Sequence, residues 1–76
     1  MDIKKFIEKI AEQYDDLASE TLNGETKFRE VGDYSSLTAL MILSMIDEEY
    51  NVTITGDDMR SVNTIGELYN LIESRI

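Results

Sequence analysis

Two adjacent serines, Ser35 and Ser36, are the residues of this sequence with the clearest chemical potential. They lie where a stretch rich in loop residues meets a long apolar segment, which is where a helix is expected to begin. Helix capping is the simplest role for such a motif, because a serine oxygen accepts a hydrogen bond from an unpaired backbone N–H. One serine is enough for that role, so the pair raises the question of what the other serine does.

Self-contained catalysis by these serines is not expected. The sequence of 76 residues has no histidine and no cysteine, so it cannot form a Ser-His-Asp or a Cys-His arrangement. Asp57 and Asp58 lack the alternating oxygen ligands and the final glutamate of a calcium loop. No glycine-rich phosphate loop is present. A carboxylate pair for glycoside chemistry is possible by residue type, but a small helical bundle offers no obvious substrate cleft. The sequence therefore predicts a protein that is not an enzyme.

The charge balance narrows the choice of partners. Sixteen acidic residues against seven basic ones give a net charge of −9. This charge disfavours nucleic acid and anionic lipid and favours partners with basic surfaces, although acidic surfaces also simply keep small proteins soluble. The first ten residues show no signal-peptide pattern, and the apolar stretch 39–46 is too short to span a bilayer. We therefore expect a cytoplasmic protein that does not insert into membranes.

The elements that must position the serines are helices and one long connection. A helix is predicted over residues 2–19, from apolar residues at three- and four-residue steps. Residues 20–34 lose this periodicity and are predicted to form a long loop. Leu22, Phe28 and Val31 are expected to attach that loop to the core. Long loops inside small domains are often functional.

The second predicted helix, Ser36–Tyr50, has apolar residues on more than one side. The stripe assigned to the core contains Ala39, Ile42, Leu43, Ile46 and Tyr50. Leu37, Leu40 and Met41 form a second apolar face. Full burial of such a helix is difficult in so short a chain. We expect this second face to contact a partner; the alternative is that it packs under the long loop.

The remaining segments complete an all-α fold. Val52 and Ile54 alternate with polar residues and indicate an extended, buried connector. Thr55 with Asp58 forms the first of two predicted capping boxes, which begins a short helix. Thr64 with Glu67 forms the second, at the start of the last helix. The prediction is a single domain over residues 1–76. It is a small four-helix bundle of three longer helices and one short one, with the long loop between the first two.

The order of these features resembles the acyl carrier protein family. The resemblance covers residues 28–72 without gaps: Ser36-Leu37 begins a hydrophobic helix that ends in three acidic residues and an aromatic one, at 47–50. An extended segment, a second acidic pair and a helix beginning at Thr64 follow at matching spacing. The resemblance implies that a phosphopantetheinyl transferase attaches 4'-phosphopantetheine, derived from coenzyme A, to Ser36. It further implies a monomeric shuttle that carries acyl groups in fatty acid, polyketide-like or related biosynthesis.

The sequence departs from the family pattern at three positions around the serine motif. Ser35 stands where the family usually has aspartate, so the motif is Ser-Ser-Leu instead of Asp-Ser-Leu. Ser35 is therefore the alternative attachment site. Thr38 and Met41 occupy positions that are often acidic in the family, which predicts a more apolar docking surface.

The resemblance also suggests residues for partner binding and for cargo. The predicted partner-binding residues are Leu37, Leu40, Met41, Asp47, Glu48, Asp57 and Asp58, facing enzymes with basic docking patches. Met45 and Met59 are candidates for sheltering an acyl chain, or else ordinary core residues. Two other functions remain open: a carrier of aminoacyl or other non-fatty groups, and a helical protein-protein adaptor with no cofactor.

Overall fold

The long apolar segment after the serine pair forms the central helix of the protein. A computed structural model describes residues 2–76. Its helices are α1 (Ile3–Ala11), α2 (Ser36–Tyr50), α3 (Gly56–Ser61) and α4 (Ile65–Glu73). Two single 3-10 turns, Ser19–Thr21 and Phe28–Glu30, lie in the long connection between α1 and α2. The prediction of an all-α fold with three longer helices and one short one is confirmed. No helix among the described residues is both long and apolar enough to cross a membrane.

The prediction that the first helix extends to residue 19 was wrong. α1 ends at Ala11, and the backbone then tightens into a turn before Asp16 adopts a left-handed conformation with φ 55°. Tyr14 is nevertheless buried, and its hydroxyl donates a hydrogen bond to the carbonyl of Phe28. The apolar periodicity of the sequence therefore extends beyond the end of the helix. Tyr14 keeps the helical spacing, but its side chain reaches the core from a backbone that is no longer helical.

The long connection is attached to the core as predicted. Leu22 and Phe28 are buried, and Val31 is partly buried against the core. The loop also pairs with the start of α4. The carbonyl of Gly24 accepts a hydrogen bond of 2.7 Å from the backbone N–H of Gly66. This close approach requires glycine at position 66, because a Cβ there would lie 2.8 Å from the Gly24 oxygen.

Arg29 fastens the same loop to the end of α3. Its guanidinium donates to the carbonyls of Met59 at 2.8 Å and Val62 at 2.6 Å, and to the side chain of Asn63 at 2.8 Å. These carbonyls lie at the C-terminal end of a short helix, where backbone acceptors lack helical partners. A positive charge is also favoured there by the helix dipole. Arg29 thus stabilises both the loop and α3.

α2 has the predicted bounds, Ser36–Tyr50, and ends where Asn51 takes a left-handed conformation with φ 59°. Ile42 and Ile46 of the predicted core stripe have no exposed surface. The other members of that stripe, Ala39, Leu43 and Tyr50, are partly buried against the core. The buried side of this helix therefore holds it in the bundle.

The C-terminal part of the chain has the connector and the helix starts that the sequence predicts. Val52 and Ile54 are buried in an extended connector, as predicted. Both predicted capping boxes are present: Thr55 with Asp58 begins α3, and Thr64 with Glu67 begins α4. α4 buries its apolar stripe of Ile65, Leu68, Tyr69 and Ile72 in the same core as α1 and α2.

Candidate functional site

The two serines take different positions at the N-terminus of α2. Ser35 is the N-cap residue, with an extended backbone. Its Oγ accepts a hydrogen bond of 3.3 Å from the backbone N–H of Thr38. The Thr38 hydroxyl accepts in return from the backbone N–H of Ser35 at 3.2 Å, which completes a capping box. Thr38 is itself buried, so the cap is held by the core. The capping role therefore belongs to Ser35.

Ser36 is the first residue of α2, and its side chain is exposed. None of the hydrogen bonds formed among residues 2–76 involves its hydroxyl. The first turn of the helix contains no acidic residue. An anion attached at this oxygen would lie near unpaired backbone N–H groups and the positive end of the helix dipole. The residues present therefore fit a phosphodiester-linked group on Ser36.

An aromatic cluster fixes the chain immediately before the serines. The ring of Tyr34 lies 6.1 Å from that of Phe28 and 6.3 Å from that of Tyr14. Burial is the main cause that raises the pKa of Tyr14 well above its usual range, so its hydroxyl stays protonated as the donor to Phe28. The chain leading into α2 is thus anchored two residues before the exposed serine.

The second apolar face of α2 is open to solvent. Leu37 is 66% exposed, Leu40 is 61% exposed and Met41 is 39% exposed. The alternative that these side chains pack under the long loop is therefore wrong. Contiguous exposed apolar side chains in a small acidic protein are typical of a binding surface. We name Ser36, Leu37, Leu40, Met41 and Ser44 the outer face of α2.

A groove of about 490 Å³ lies beside the outer face, between α2 and the end of α1. Leu37, Leu40, Met41 and Met45 line it from α2, and Lys9 and Gln13 are among its residues from the α1 side. An ion pair of 3.4 Å joins Lys9 Nζ to Glu49 Oε1 within the same lining. Sequence analysis missed the contribution of Lys9 and Gln13, because residues far apart in sequence meet there only through helix packing.

The four acidic residues predicted to bind partners differ in their surroundings. Asp47 and Glu48 are exposed near the end of α2. Asp57 is also exposed and pairs with Arg60 one turn along α3. Asp58 is held in place, since its carboxylate accepts hydrogen bonds from Arg75 at 2.7 and 3.0 Å.

These contacts change the protonation of Asp58. The Arg75 guanidinium, together with the backbone N–H of Thr55 at 2.9 Å, holds the pKa of Asp58 well below its usual range. Its charge is therefore balanced by Arg75, whereas no ion pair among residues 2–76 involves Asp47 or Glu48.

The two methionines considered for sheltering cargo are buried. Met59 is 4% exposed and Met45 is 6% exposed, and both belong to the core. Packing in the core accounts for Met59. Met45 has a second contact, because it also lines the groove between α1 and α2.

Comparison with known proteins connects this geometry to a family. The family model described as a phosphopantetheine attachment site matches residues 4–72. The chain is also similar to acyl carrier protein 2, chloroplastic, of Spinacia oleracea, with 36% identity over 53 residues. That alignment covers 70% of this chain and 40% of the relative, so the chain spans less than half of the relative's length.

Proposed function

The chain belongs to the phosphopantetheine attachment-site family, and on that premise we propose that it is an acyl carrier protein modified at Ser36. The observation that carries the proposal is the exposed Ser36 hydroxyl at the N-terminus of α2. When bound, 4'-phosphopantetheine supplies a thiol that can hold an acyl group as a thioester, which suits a chain without cysteine. The chain acts as a carrier and not as an enzyme.

The capping box supports Ser36 over Ser35 as the attachment site. The Ser35 oxygen is engaged by the backbone of Thr38 and by the Thr38 hydroxyl. Its modification would remove the cap and cost about 1 kcal/mol of stability. Modification of Ser36 breaks no hydrogen bond among the described residues. The substitution of serine for the usual aspartate also removes a negative charge next to the attached phosphate.

The outer face of α2 is proposed as the main docking surface for a transferase and for acyl-transferring or condensing enzymes. Leu37, Leu40 and Met41 supply apolar contact, and Asp47 and Glu48 add negative charge toward basic patches. Exposed charges of this kind mainly raise association rates and are screened by salt. Weak and fast binding suits a carrier that visits several enzymes.

Asp57 and Asp58 on α3 form different ion pairs, and we therefore propose different roles for them. Asp57 remains an exposed candidate for docking, although Arg60 offsets part of its charge. Asp58 contributes less to an external field because Arg75 pairs with it. We propose that Asp58 serves mainly to hold α3 in place.

The cargo is proposed to be an acyl intermediate of fatty acid, polyketide-like or related biosynthesis. An aminoacyl group is the alternative cargo on the same anchor. The chain is proposed to act as a single domain and a monomer. The cytoplasm is the proposed compartment, although the plant relative is named as chloroplastic.

The attachment is tested by incubating the apo protein with coenzyme A, magnesium and a broad-specificity phosphopantetheinyl transferase. Intact mass should increase by one phosphopantetheine, and the modified peptide should contain Ser36. Ser36→Ala should abolish the mass increase. Ser35→Ala is the matched control and should retain it. Labelling of Ser36→Ala together with loss in Ser35→Ala would move the site by one residue, and no labelling of the wild type by several transferases would overturn the proposal.

A cofactor-free adaptor is the second candidate, because the outer face of α2 would serve it equally well. This function predicts that Ser36→Ala retains partner binding and biological activity. Met41→Asp should then abolish partner binding. The carrier proposal predicts instead that Ser36→Ala alone abolishes activity in cells while the protein stays folded, as judged by circular dichroism.

A further inference from the structure

We propose that the groove between α1 and α2 is a resting site for the phosphopantetheine arm itself. This inference rests on the proposed function, because it assumes attachment at Ser36. The arm would lie along α2 against Leu37, Leu40 and Met41 whenever no enzyme is docked. The site is on the surface of the bundle, apart from the core packing around Met59.

The anchor lies at the beginning of this groove. Leu37, the residue after Ser36, already lines it. Leu40 and Ser44 follow Ser36 at four and eight residues, so the three positions share one side of the helix. The α2 lining extends from Leu37 to Glu49, which corresponds to about 18 Å of helix. A chain attached to Ser36 can therefore follow the groove without leaving the helix surface.

The groove also matches the mixed chemistry of the arm. Beyond its phosphate, phosphopantetheine is an uncharged chain with two methyl groups on one carbon and two amides. Leu37, Leu40 and Met41 offer apolar surface for the methyl groups. Gln13 offers polar contact, since its Nε2 already donates to the carbonyl of Lys9 at 3.0 Å and its amide oxygen remains able to accept.

The size of the groove and the tether both support this occupant. A volume of about 490 Å³ is in the range of small-molecule sites, roughly 300–1,000 Å³. A short flexible tether produces an effective concentration on the order of millimolar. Weak contacts are therefore enough to populate the bound position while still allowing release.

Charge argues against a second copy of the chain as the occupant. The net charge is −9, and Glu12, Glu48 and Glu49 line the groove with Lys9 as a cation. Another acidic chain would bring like charges together at these glutamates. The uncharged part of the arm meets no such repulsion, and its phosphate remains at the N-terminus of α2.

The test uses protein labelled with ¹³C at the methionine methyl groups. Met41 and Met45 report on the groove, whereas Met59 is an internal reference from the core. Methyl spectra are compared before and after conversion by a transferase, with intact mass confirming that the arm is attached. We expect the Met41 and Met45 signals to move and the Met59 signal to stay in place.

Leu40→Asp supplies the perturbation, because it places a charge on the groove while altering a side chain that is 61% exposed. In this variant the Met41 and Met45 signals should show clearly smaller differences between the unmodified and modified protein. Ile76→Asp is the matched control, since Ile76 is 73% exposed and is not among the groove residues. The control should show the same differences as the wild type.

The outcomes separate this inference from the proposed function. A confirmed mass increase with no methyl shift would mean that the arm stays in solvent, and would overturn the inference alone. A mass increase with a shift at Met59 and none at Met41 would place the arm in the core and would also overturn it. Failure of the mass increase in the wild type would overturn the attachment proposal and the inference together, so Leu40→Asp is given a longer incubation and its spectra are compared only after intact mass shows complete conversion.

Discussion

Two regions of the molecule are built in opposite ways: the junction of the long loop with α3 and α4, and the outer face of α2. At the junction, Arg29 binds two carbonyls and a side-chain amide, and Gly24 contacts the backbone of Gly66. On the outer face, Leu37 and Leu40 are mostly exposed. The junction has hydrogen bonds that stabilise the fold, whereas the outer face exposes apolar side chains to solvent.

This difference shows how a small protein can present an exposed serine on a stable support. The loop that leads to Ser36 is tied to α3 and α4 before it reaches the serine. On the opposite side of α2, Ile42 and Ile46 are buried completely. The helix can therefore be rigid while its outer face remains free for a tether or a partner. Substitutions at the two regions should separate stability from function.

The largest loss of stability is expected for Arg29→Ala at the junction. The substitution removes hydrogen bonds to Met59, Val62 and Asn63 and leaves carbonyls at the end of α3 without this partner. The free energy of unfolding should fall by about 3 kcal/mol. Urea unfolding followed by circular dichroism measures the change. Arg60→Ala is the control, because Arg60 forms an exposed pair with Asp57, and its substitution should cost less than about 1 kcal/mol. If the two variants lost the same free energy of unfolding, the hydrogen bonds of Arg29 would not be important for the stability of the fold.

A second test at the junction is Gly66→Ala. A Cβ at this position would lie 2.8 Å from the Gly24 oxygen, so the loop or α4 must shift. The expected cost is about 2 kcal/mol in the free energy of unfolding. Gly56→Ala is the matched control, since a Cβ there meets only the Arg60 guanidinium at 3.6 Å. Thermal unfolding should distinguish the two glycines, and a stable Gly66→Ala variant would argue that the loop does not pack closely on α4.

A smaller effect, dependent on pH, is expected from the pair of Asp58 and Arg75. The pKa of Asp58 is lowered from its ordinary value of 3.8, so its ionised form is favoured in the folded state. The resulting stabilisation is present above that ordinary value and is lost as the pH falls through the lower folded value. Arg75→Gln should therefore reduce stability most at neutral pH, and its difference from the wild type should shrink below about pH 4. Urea unfolding at a series of pH values measures this difference, and a constant difference across the series would contradict it.

The smallest change in stability is expected on the outer face of α2. Leu40→Ser alters a side chain that is 61% exposed, so the free energy of unfolding should change by less than about 0.5 kcal/mol. The same substitution should weaken binding to a transferase, measured by titration calorimetry or by the KM for the carrier. A loss of stability as large as that of Arg29→Ala would remove the contrast between the two regions.

Several elements could be predicted because their signals are local. The bounds of α2 followed from its apolar periodicity and from the serines that precede it. Thr55 and Thr64 were recognised as caps because each has an acidic partner three residues later. The end of α1 was not predictable in this way. Tyr14 continues the helical spacing, and only its contact with Phe28 explains why the backbone leaves the helix while the side chain stays buried.

The candidate site was predicted only in part for the same reason. Ser36 and the apolar residues after it were found from spacing and from a resemblance to a family. The assignment of the capping role to Ser35 required the hydrogen bonds with Thr38. The exposure of Leu40 could not be decided from the sequence, because packing under the long loop would have produced the same pattern.

The sequence alone determined the helical class, the caps at Thr55 and Thr64, and the position of the serine pair, because these depend on neighbours within about one helical turn. Tertiary structure decided where α1 ends, that Asp58 pairs with Arg75, and that Lys9 and Gln13 share a groove with Met41. Such features join residues that are distant in sequence, and their free energies depend on how the whole chain packs. No local pattern can encode them, since the contacts exist only once the bundle has formed.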